Sequence, residues 1–365
     1  MKASPLRILF LTKYPEEGAS SRYRVFQYIN ALSERGIESD VRPFYSSAGF
    51  QSVFGKGSTL KRTLAVLTGS MRRFLSVLTS GRYDLVYVQR ELLPFGPPVL
   101  ERWLSRHGGR LLFDYDDALF IGKPSAVSPL ATQLRSTERI LEIFALVDAV
   151  VAGNRWLKEQ AEKRGATAYL LEVAEDTRRI TLRPPHREMD AVALGWLGSR
   201  STEKYLEGLT PVLERFFQRH PEARLIVVGG GQYTPEGLPV EHVPWSFESE
   251  VAQLHRFDIG LMPLPMEDWS KGKCGGKART YMAAGIPAVV QDIGYNQELI
   301  RHGETGFLMP SDHETWLATL TRLTSDPELR QSVGERARTE VKERFNLDRI
   351  ADQLAEILRK EAAAG

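Results

Sequence analysis

Residues Lys271 to Pro287, Lys-Gly-Lys-Cys-Gly-Gly-Lys-Ala-Arg-Thr-Tyr-Met-Ala-Ala-Gly-Ile-Pro, gather glycines and cations at the start of a short helical pattern. That composition suits an anion. Gly272, Gly275 and Gly276 allow sharp turns that expose backbone amides, and the helix start adds unsatisfied N–H groups and the positive end of its dipole. Lys273, Lys277 and Arg279 add charge. Gly285 and Pro287 end the helix after about two turns, and Ala288-Val289-Val290 reads as a buried parallel strand. The plain alternative is a solvated basic loop ahead of an ordinary helix, so the rest of the chain must decide.

Four other polar loops each follow an apolar run. Thr12 to Arg24 carries Gly18 and Ser20-Ser21 ahead of a helical pattern, a place for a phosphate or a sugar hydroxyl. Gln89-Arg90-Glu91 follows a second run, Asp114-Tyr115-Asp116-Asp117 a third, and Gly198-Ser199-Arg200-Ser201-Thr202-Glu203-Lys204 a fourth. The acidic loop admits three readings. Asp114 and Asp116, two apart after a strand, suit Mg²⁺ in a phosphotransferase. Alternatively the carboxylates line a sugar site, accepting hydroxyl hydrogen bonds and stabilising positive charge, or they merely cap the next helix. Arg200 and Lys204 are directed by topology to the same strand edge as Lys273 and Lys277, where the four would neutralise a diphosphate. If a bond to that diphosphate breaks, stabilising the departing charge is the principal catalytic task.

Other chemistries lack their residues. Gly229-Gly230-Gly231 follows a strand, but position 234 is Thr, so Gly-x-Gly-x-x-Gly is not met, and Gly272 to Lys277 lacks the P-loop spacing. No histidine pair stands at i, i+4 beside a carboxylate, and no Gly-x-Ser-x-Gly elbow occurs. The metal expectation is therefore none. Cys274, the single cysteine, reads as a small residue fitted against a ligand rather than as a nucleophile.

The elements that must position these loops alternate along the chain. Ile8–Leu11, 84–88, 110–113 and 149–152 read as strands, with helical patterns at 23–35, 98–107 and 131–146. The alternation lapses from Thr177 to Asp190 around Pro184-Pro185, where a linker is expected, then resumes with strands at 192–197, 225–228, 259–262 and 288–290 and a helix at 204–220. The expected fold is α/β: two Rossmann-like, doubly wound parallel-sheet domains facing a cleft, with binding loops at the carboxyl ends of the strands. Their expected bounds are 1–180 and 181–345, with a helix at 346–365 able to pack on either.

Composition narrows the partners. With 48 Lys and Arg against 46 Asp and Glu, the chain has no excess charge for a dedicated nucleic-acid binder. One cysteine excludes an internal disulfide framework. The opening apolar run of about six residues is too short for a secretory signal, and no run approaches the roughly 20 apolar residues of a spanning helix. A cytoplasmic protein is expected, with any membrane contact peripheral, on the inner face. Residues 60–78 interleave Lys61, Arg62, Arg72 and Arg73 with apolar side chains. They read either as a helix on an anionic membrane surface or as one burying a face on the core.

The order of these pieces resembles the GT-B retaining glycosyltransferases of family 4, the glycosyl transferases of group 1. Lys277 to Val290 is similar to that family's Lys-x-x-Glu-Tyr-Met-Ala-x-Gly-x-Pro-Val-Val segment. Gly294 to Glu298 resembles its Gly-Gly-x-x-Glu element, Gly303 to Leu308 its Gly-x-x-Gly-x-Leu, and Gly198 to Lys204 its Gly-Arg-Leu-x-x-x-Lys loop. The likeness is strong from about 192 to 345 and weak before.

The resemblance implies a UDP- or GDP-sugar as co-substrate, no required cofactor and retention of anomeric configuration. Carried over by residue, Lys204 meets the donor diphosphate with Gly198, Ser199 and Arg200 beside it, and Lys273, Cys274, Gly275, Gly276, Lys277 and Thr280 form the rest of the donor site. Gly18 belongs to an N-terminal glycine loop, and Asp116 and Asp117 stand where the family often has His-Asp beside the reacting sugar. The implied acceptor is a glycan or lipid-linked intermediate of surface polysaccharide synthesis. Two departures stand out. The family's glutamate pair falls at Gly272 and Thr280, and its loop arginine at Ser199, with Arg200 as the substitute and Asp268 or Glu267 as a replacement sugar-binding carboxylate. Two other classes stay open: a metal-dependent phosphotransferase using Asp114 and Asp116, and a non-catalytic nucleotide-sugar binder, which the loss of both glutamates favours.

Overall fold

Twelve strands form two wholly parallel six-stranded sheets in the computed structural model, which describes residues 5–55, 57–122, 137–184 and 191–364. The first sheet contains β1 (Leu6–Thr12), β2 (Ile37–Val41), β3 (Leu85–Gln89), β4 (Arg110–Tyr115), β5 (Ala149–Ala152) and β6 (Ala168–Leu170), in the order β2-β1-β3-β4-β5-β6. The second contains β7 (Ala193–Leu197), β8 (Arg224–Val228), β9 (Val240–Val243), β10 (Ile259–Met262), β11 (Ala288–Gln291) and β12 (Phe307–Met309), in the order β12-β11-β10-β7-β8-β9. The inner strands are apolar and buried along nearly their whole length, as a sheet covered by helices on both faces requires. Of the four edge strands, β2, β6 and β9 are half-buried and β12 is mostly buried.

The chain divides into two compact units, residues 1–174 with 347–365, and residues 175–346. The C-terminal helix Leu347–Ala363 belongs to the first, where Ile350, Leu354 and Leu358 join Ile8, Phe10, Leu85 and Leu112 in one core. The stretch expected as a linker differs in part. Ile180 is buried in the core of the second unit, and Arg183 bonds the Ala284 carbonyl and pairs with Asp258, so residues 175–184 are laid against that unit; 185–190 lie outside the described residues. The helix expected over 131–146 is described only as Glu138–Leu146, because 131–136 lie outside those residues too.

Two further helices depart from expectation. The 23–35 pattern is helical from Ala19, then breaks at Val25 into a 3₁₀ turn and a second short helix, Ile29–Glu34. The 204–220 pattern opens with a short helix Arg200–Glu203 and a 3₁₀ stretch before Thr210–Arg219. Among the described residues no helix is long and apolar enough to cross a membrane.

Candidate active site

A doubly wound sheet opens a crevice where neighbouring strands send their chains in opposite directions, at the carboxyl ends of those strands. In the first sheet that point lies between β1 and β3, and in the second between β7 and β10. A polar cluster stands at each.

At the β1/β3 point, Gln89 is the hub. Its carbonyl oxygen accepts from Ser21 Oγ at 2.8 Å and from the Lys13 amide at 3.3 Å, and its Nε2 donates to Ser20 Oγ at 2.8 Å. Ser20 Oγ donates in turn to Asp116 at 2.6 Å. Gly18 precedes the helix that carries both serines. Arg90 ties the two acidic residues together, its Nη2 2.9 Å from Asp117 Oδ2 and its Nε 3.6 Å from Asp116 Oδ1. Arg90 has φ +65°, unlike any other non-glycine among the described residues. Beside it Lys13 pairs with Glu91. Burial alone would raise the Glu91 pKa, but Lys13 and Arg90 hold it down at about 2.

At the β7/β10 point, the Gly276–Ala283 helix is fixed by Tyr281, whose hydroxyl accepts from the Leu197 amide at 2.9 Å and donates to the Leu261 carbonyl at 3.2 Å. The helix start is thereby held against the ends of β7 and β10. Gly275, its N-cap, has φ +64°, which makes glycine the ready choice there. Lys277 Nζ lies 5.2 Å from the Trp196 ring centroid and 3.5 Å from Thr202 Oγ1 in the loop after β7. Gly198 lets it pass: a Cβ at 198 would stand 2.7 Å from Lys277 Cε. Lys273 Nζ lies 5.2 Å from the Trp269 ring. Ser199, Arg200 and Lys204 are exposed on the β7 loop, and neither cation makes an ion pair among the described residues. This edge thus presents a helix N-terminus, the amides of a left-handed turn and lysines, a set suited to an anion.

The sequence comparisons bear on what anion that is. Residues 191–326 match the family model described as "Glycosyl transferases group 1". The matched stretch lies within the second unit and takes in strands β7 to β12. N-acetyl-alpha-D-glucosaminyl L-malate synthase of Bacillus anthracis is 38% identical over 140 residues, 36% of each chain, so little more than a third of that relative is spanned. Alpha-D-kanosaminyltransferase of Streptomyces kanamyceticus is 25% identical over 70% of this chain and 69% of its own. Among solved structures, HepE of Anabaena in complex with UDP-glucose shares the fold with a TM-score of 0.70 at 17% identity, covering 97% of this chain and 100% of that one. The two parallel-sheet domains are those of the GT-B glycosyltransferases.

Several expected site residues have other duties in this structure. Asp114 is fully buried and accepts from Arg24 Nε at 3.0 and 3.1 Å, so both its oxygens are committed and the Asp114–Asp116 metal pair of the phosphotransferase reading is not formed. Arg279, expected to add charge to the glycine loop, is completely buried; it donates to the Cys274 carbonyl at 2.8 Å and packs on Phe345, supporting the loop from beneath. Gly272 is an ordinary right-handed helix cap, so the sharp turn is made by Gly275. Cys274 is buried, its Sγ 3.9 Å from the Gly272 carbonyl. Thr280 is buried and its hydroxyl lies 2.8 Å from Glu175 Oε1 and 3.0 Å from the Gly276 carbonyl. Glu267 and Asp268 line a hollow of about 360 Å³ with Asp292 and Gln297, and Asp268 pairs with Lys271 at 2.7 Å.

Two carboxylates escaped notice in the sequence. Glu203 is buried and accepts from the amides of Gly231 (2.7 Å), Gln232 (2.9 Å) and Tyr233 (3.0 Å). The turn that starts at Gly231, the last glycine of the triplet after β8, thus wraps its amides on the protein's own side chain. Glu175 is the other, 105 residues from Thr280 in sequence. The signal for Glu203 was the Gly-Gly-Gly run itself; for Glu175 no local pattern existed.

Proposed function

We propose that the chain transfers a hexosyl group from a UDP-sugar, with retention of configuration, to a glycan or lipid-linked acceptor of surface polysaccharide synthesis. The convergence of Lys277, Gly198 and Thr202 on the N-terminus of the Gly276–Ala283 helix carries the reading. In it the second unit holds the donor. The amides of Gly275 and Gly276 meet the diphosphate, flanked by Lys273 and Lys277, and Arg200 and Lys204 close on it from the β7 loop. These groups stabilise the charge that grows on the diphosphate as the glycosidic bond breaks, in a site already organised for it. Asp116 and Asp117, set by Arg90 and Ser20, orient sugar hydroxyls in the acceptor-side unit. The UDP-glucose complex of HepE supports a nucleotide-sugar donor, and the name of the kanosaminyltransferase supports glycosyl transfer.

Calorimetric titration with UDP, GDP, ADP and their sugars, with and without Mg²⁺, tests this. Selective binding of the uridine nucleotide is expected, weakened by about tenfold or more in Lys277→Ala and in Lys204→Ala. Binding of none of the nucleotides would sink the reading. Turnover of a bound UDP-sugar would exclude a binding-only protein, and the anomeric proton coupling of the product reports retention.

A further inference from the structure

The Thr59–Leu78 helix carries Leu60, Leu64, Leu67, Met71, Phe74 and Leu78 at spacings of four, three, four, three and four residues, a continuous apolar row. That row faces solvent, from 49% exposure at Phe74 to 78% at Leu60. The opposite face, with Ala65, Gly69, Arg73, Ser76 and Val77, is buried against its own unit, so the row cannot turn inward. Charge is segregated as sharply. From Val41 to Tyr83 the chain has no Asp or Glu but seven cations, within a protein whose charges otherwise nearly balance.

Four of those cations line a cavity of about 440 Å³ at the C-terminal half of the helix. Arg72, Arg73 and Arg82 stand there with Arg42, Leu75 and Thr79. Arg42 is balanced by Asp40 at 2.7 Å, but Arg72, Arg73 and Arg82 have no carboxylate ion-pair partner among the described residues. Arg73 is 2% exposed; its Nη groups donate to the Arg42 and Thr12 carbonyls, and its Nε has no hydrogen-bond partner among the described residues. Burial, opposed by the charge of Glu101 and helped by Arg72, draws its pKa down to about 9, which still leaves it charged at neutral pH. A buried cation with no carboxylate in direct contact among the described residues, beside two exposed ones, favours an anion in the cavity.

We propose that this face docks on an anionic phospholipid bilayer, the apolar row entering the interface and the arginine cavity taking a headgroup phosphate. Leu75 belongs to both the cavity and the exposed apolar surface, so phosphate and acyl chain are met side by side. A second copy of the chain fits less well. Packing two such rows together would juxtapose cations with no carboxylate from this segment to pair them. Amphipathic helices of this kind bind through buried apolar area together with attraction of cations to acidic headgroups, an attraction that salt screens.

Flotation of the full chain with phosphatidylcholine vesicles, with and without phosphatidylglycerol, tests the assignment. Binding is expected only with phosphatidylglycerol, falling as salt rises. Arg72→Ala with Arg82→Ala, both exposed, should weaken it roughly thirtyfold. Leu67→Glu with Met71→Glu should abolish it, and all four changes should leave thermal unfolding where it was. Equal binding to neutral vesicles, or unchanged binding by the arginine variant, overturns the proposal. So does inorganic phosphate displacing the protein from vesicles at millimolar concentration, which would make the cavity a site for a soluble anion. A dimer in solution that Leu67→Glu with Met71→Glu dissolves would assign the row to a second copy.

Discussion

Arg90 shows how a single residue couples strain to charge. A non-glycine residue in the left-handed region costs about 1 kcal/mol, and Arg90 is held there by Asp116 and Asp117. Replacing it by glycine keeps the backbone and deletes the guanidinium; replacing it by alanine keeps the strain and deletes it too. Both variants are therefore expected to lose about a hundredfold in kcat for sugar transfer, while Arg90→Gly melts higher than Arg90→Ala. Equal kcat to the unaltered protein in either variant would remove Arg90 from the positioning of Asp116 and Asp117. Glu175 gives a pH-dependent counterpart. Burial, helped by Glu250 and opposed by Arg279, Thr280 and Arg179, raises its pKa to about 7 in the folded chain, above the usual 4.5. Folding then takes up a proton between those values, so the stability present below pH 4.5 is lost as pH rises through about 7, by about 3 kcal/mol. Glu175→Gln should flatten that slope in denaturant titrations from pH 5 to 8 and leave the protein more stable at the alkaline end. The glycines and lysines gathered at the start of the Gly276–Ala283 helix were legible from type and spacing alone. The strain at Arg90 and the Glu175–Thr280 pair were not, because one is a dihedral angle and the other a contact across 105 residues.

At the scale of elements, legibility followed burial. β5 and β7, and the apolar stretches Ile8–Leu11 of β1, Leu85–Val88 of β3 and Ala288–Val290 of β11, are compact runs because helices cover both faces, and such runs announce themselves. The edge strands do not. Ile37-Glu38-Ser39-Asp40-Val41 and Val240-Glu241-His242-Val243 are short, carry charge and face water, so they read as loop until their backbone pairing with β1 and β8 is seen. The short helices around Lys204 escaped for a related reason: the apolar spacing ran through the 3₁₀ turn, but the turn exists to bring Glu203 beneath the loop after β8. That loop depends on it. A Cβ at Gly230 would lie 2.3 Å from the Glu203 carboxylate, so the chain is wrapped directly on the side chain. Glu203→Ala would strand the amides of residues 231–233 away from any acceptor, and a loss of about 3 kcal/mol is expected in urea unfolding. A loss under about 1 kcal/mol would mean that water replaces the carboxylate there and that the loop folds without it.

At the scale of the whole chain, the informative fact is that the last 19 residues belong to the first unit. The helix Leu347–Ala363 buries Ile350, Leu354 and Leu358 in the core built on β1, β3 and β4, and its polar residues are pinned as well: Arg35 meets Asp352 at 2.6 Å, Tyr169 donates to Glu361 at 2.6 Å, and Arg110 pairs with Glu361. The sequence showed a helix with an apolar face but not which sheet it would cover, since either offered an apolar surface of the right kind. Covalent continuity with residue 346 says nothing about it; the match of Leu354 to the first core does. Leu354→Ala removes a fully buried side chain and is expected to cost about 3 kcal/mol, most of it a cavity left beneath β3. Because the two units have separate cores, that loss should be local. Hydrogen exchange followed by mass spectrometry should therefore show faster exchange across β1 to β6 in the variant, with β7 to β12 unchanged. Exchange that quickened equally in both sheets would mean that the units unfold as one, and that the C-terminal helix stabilises the second sheet as much as the one it covers.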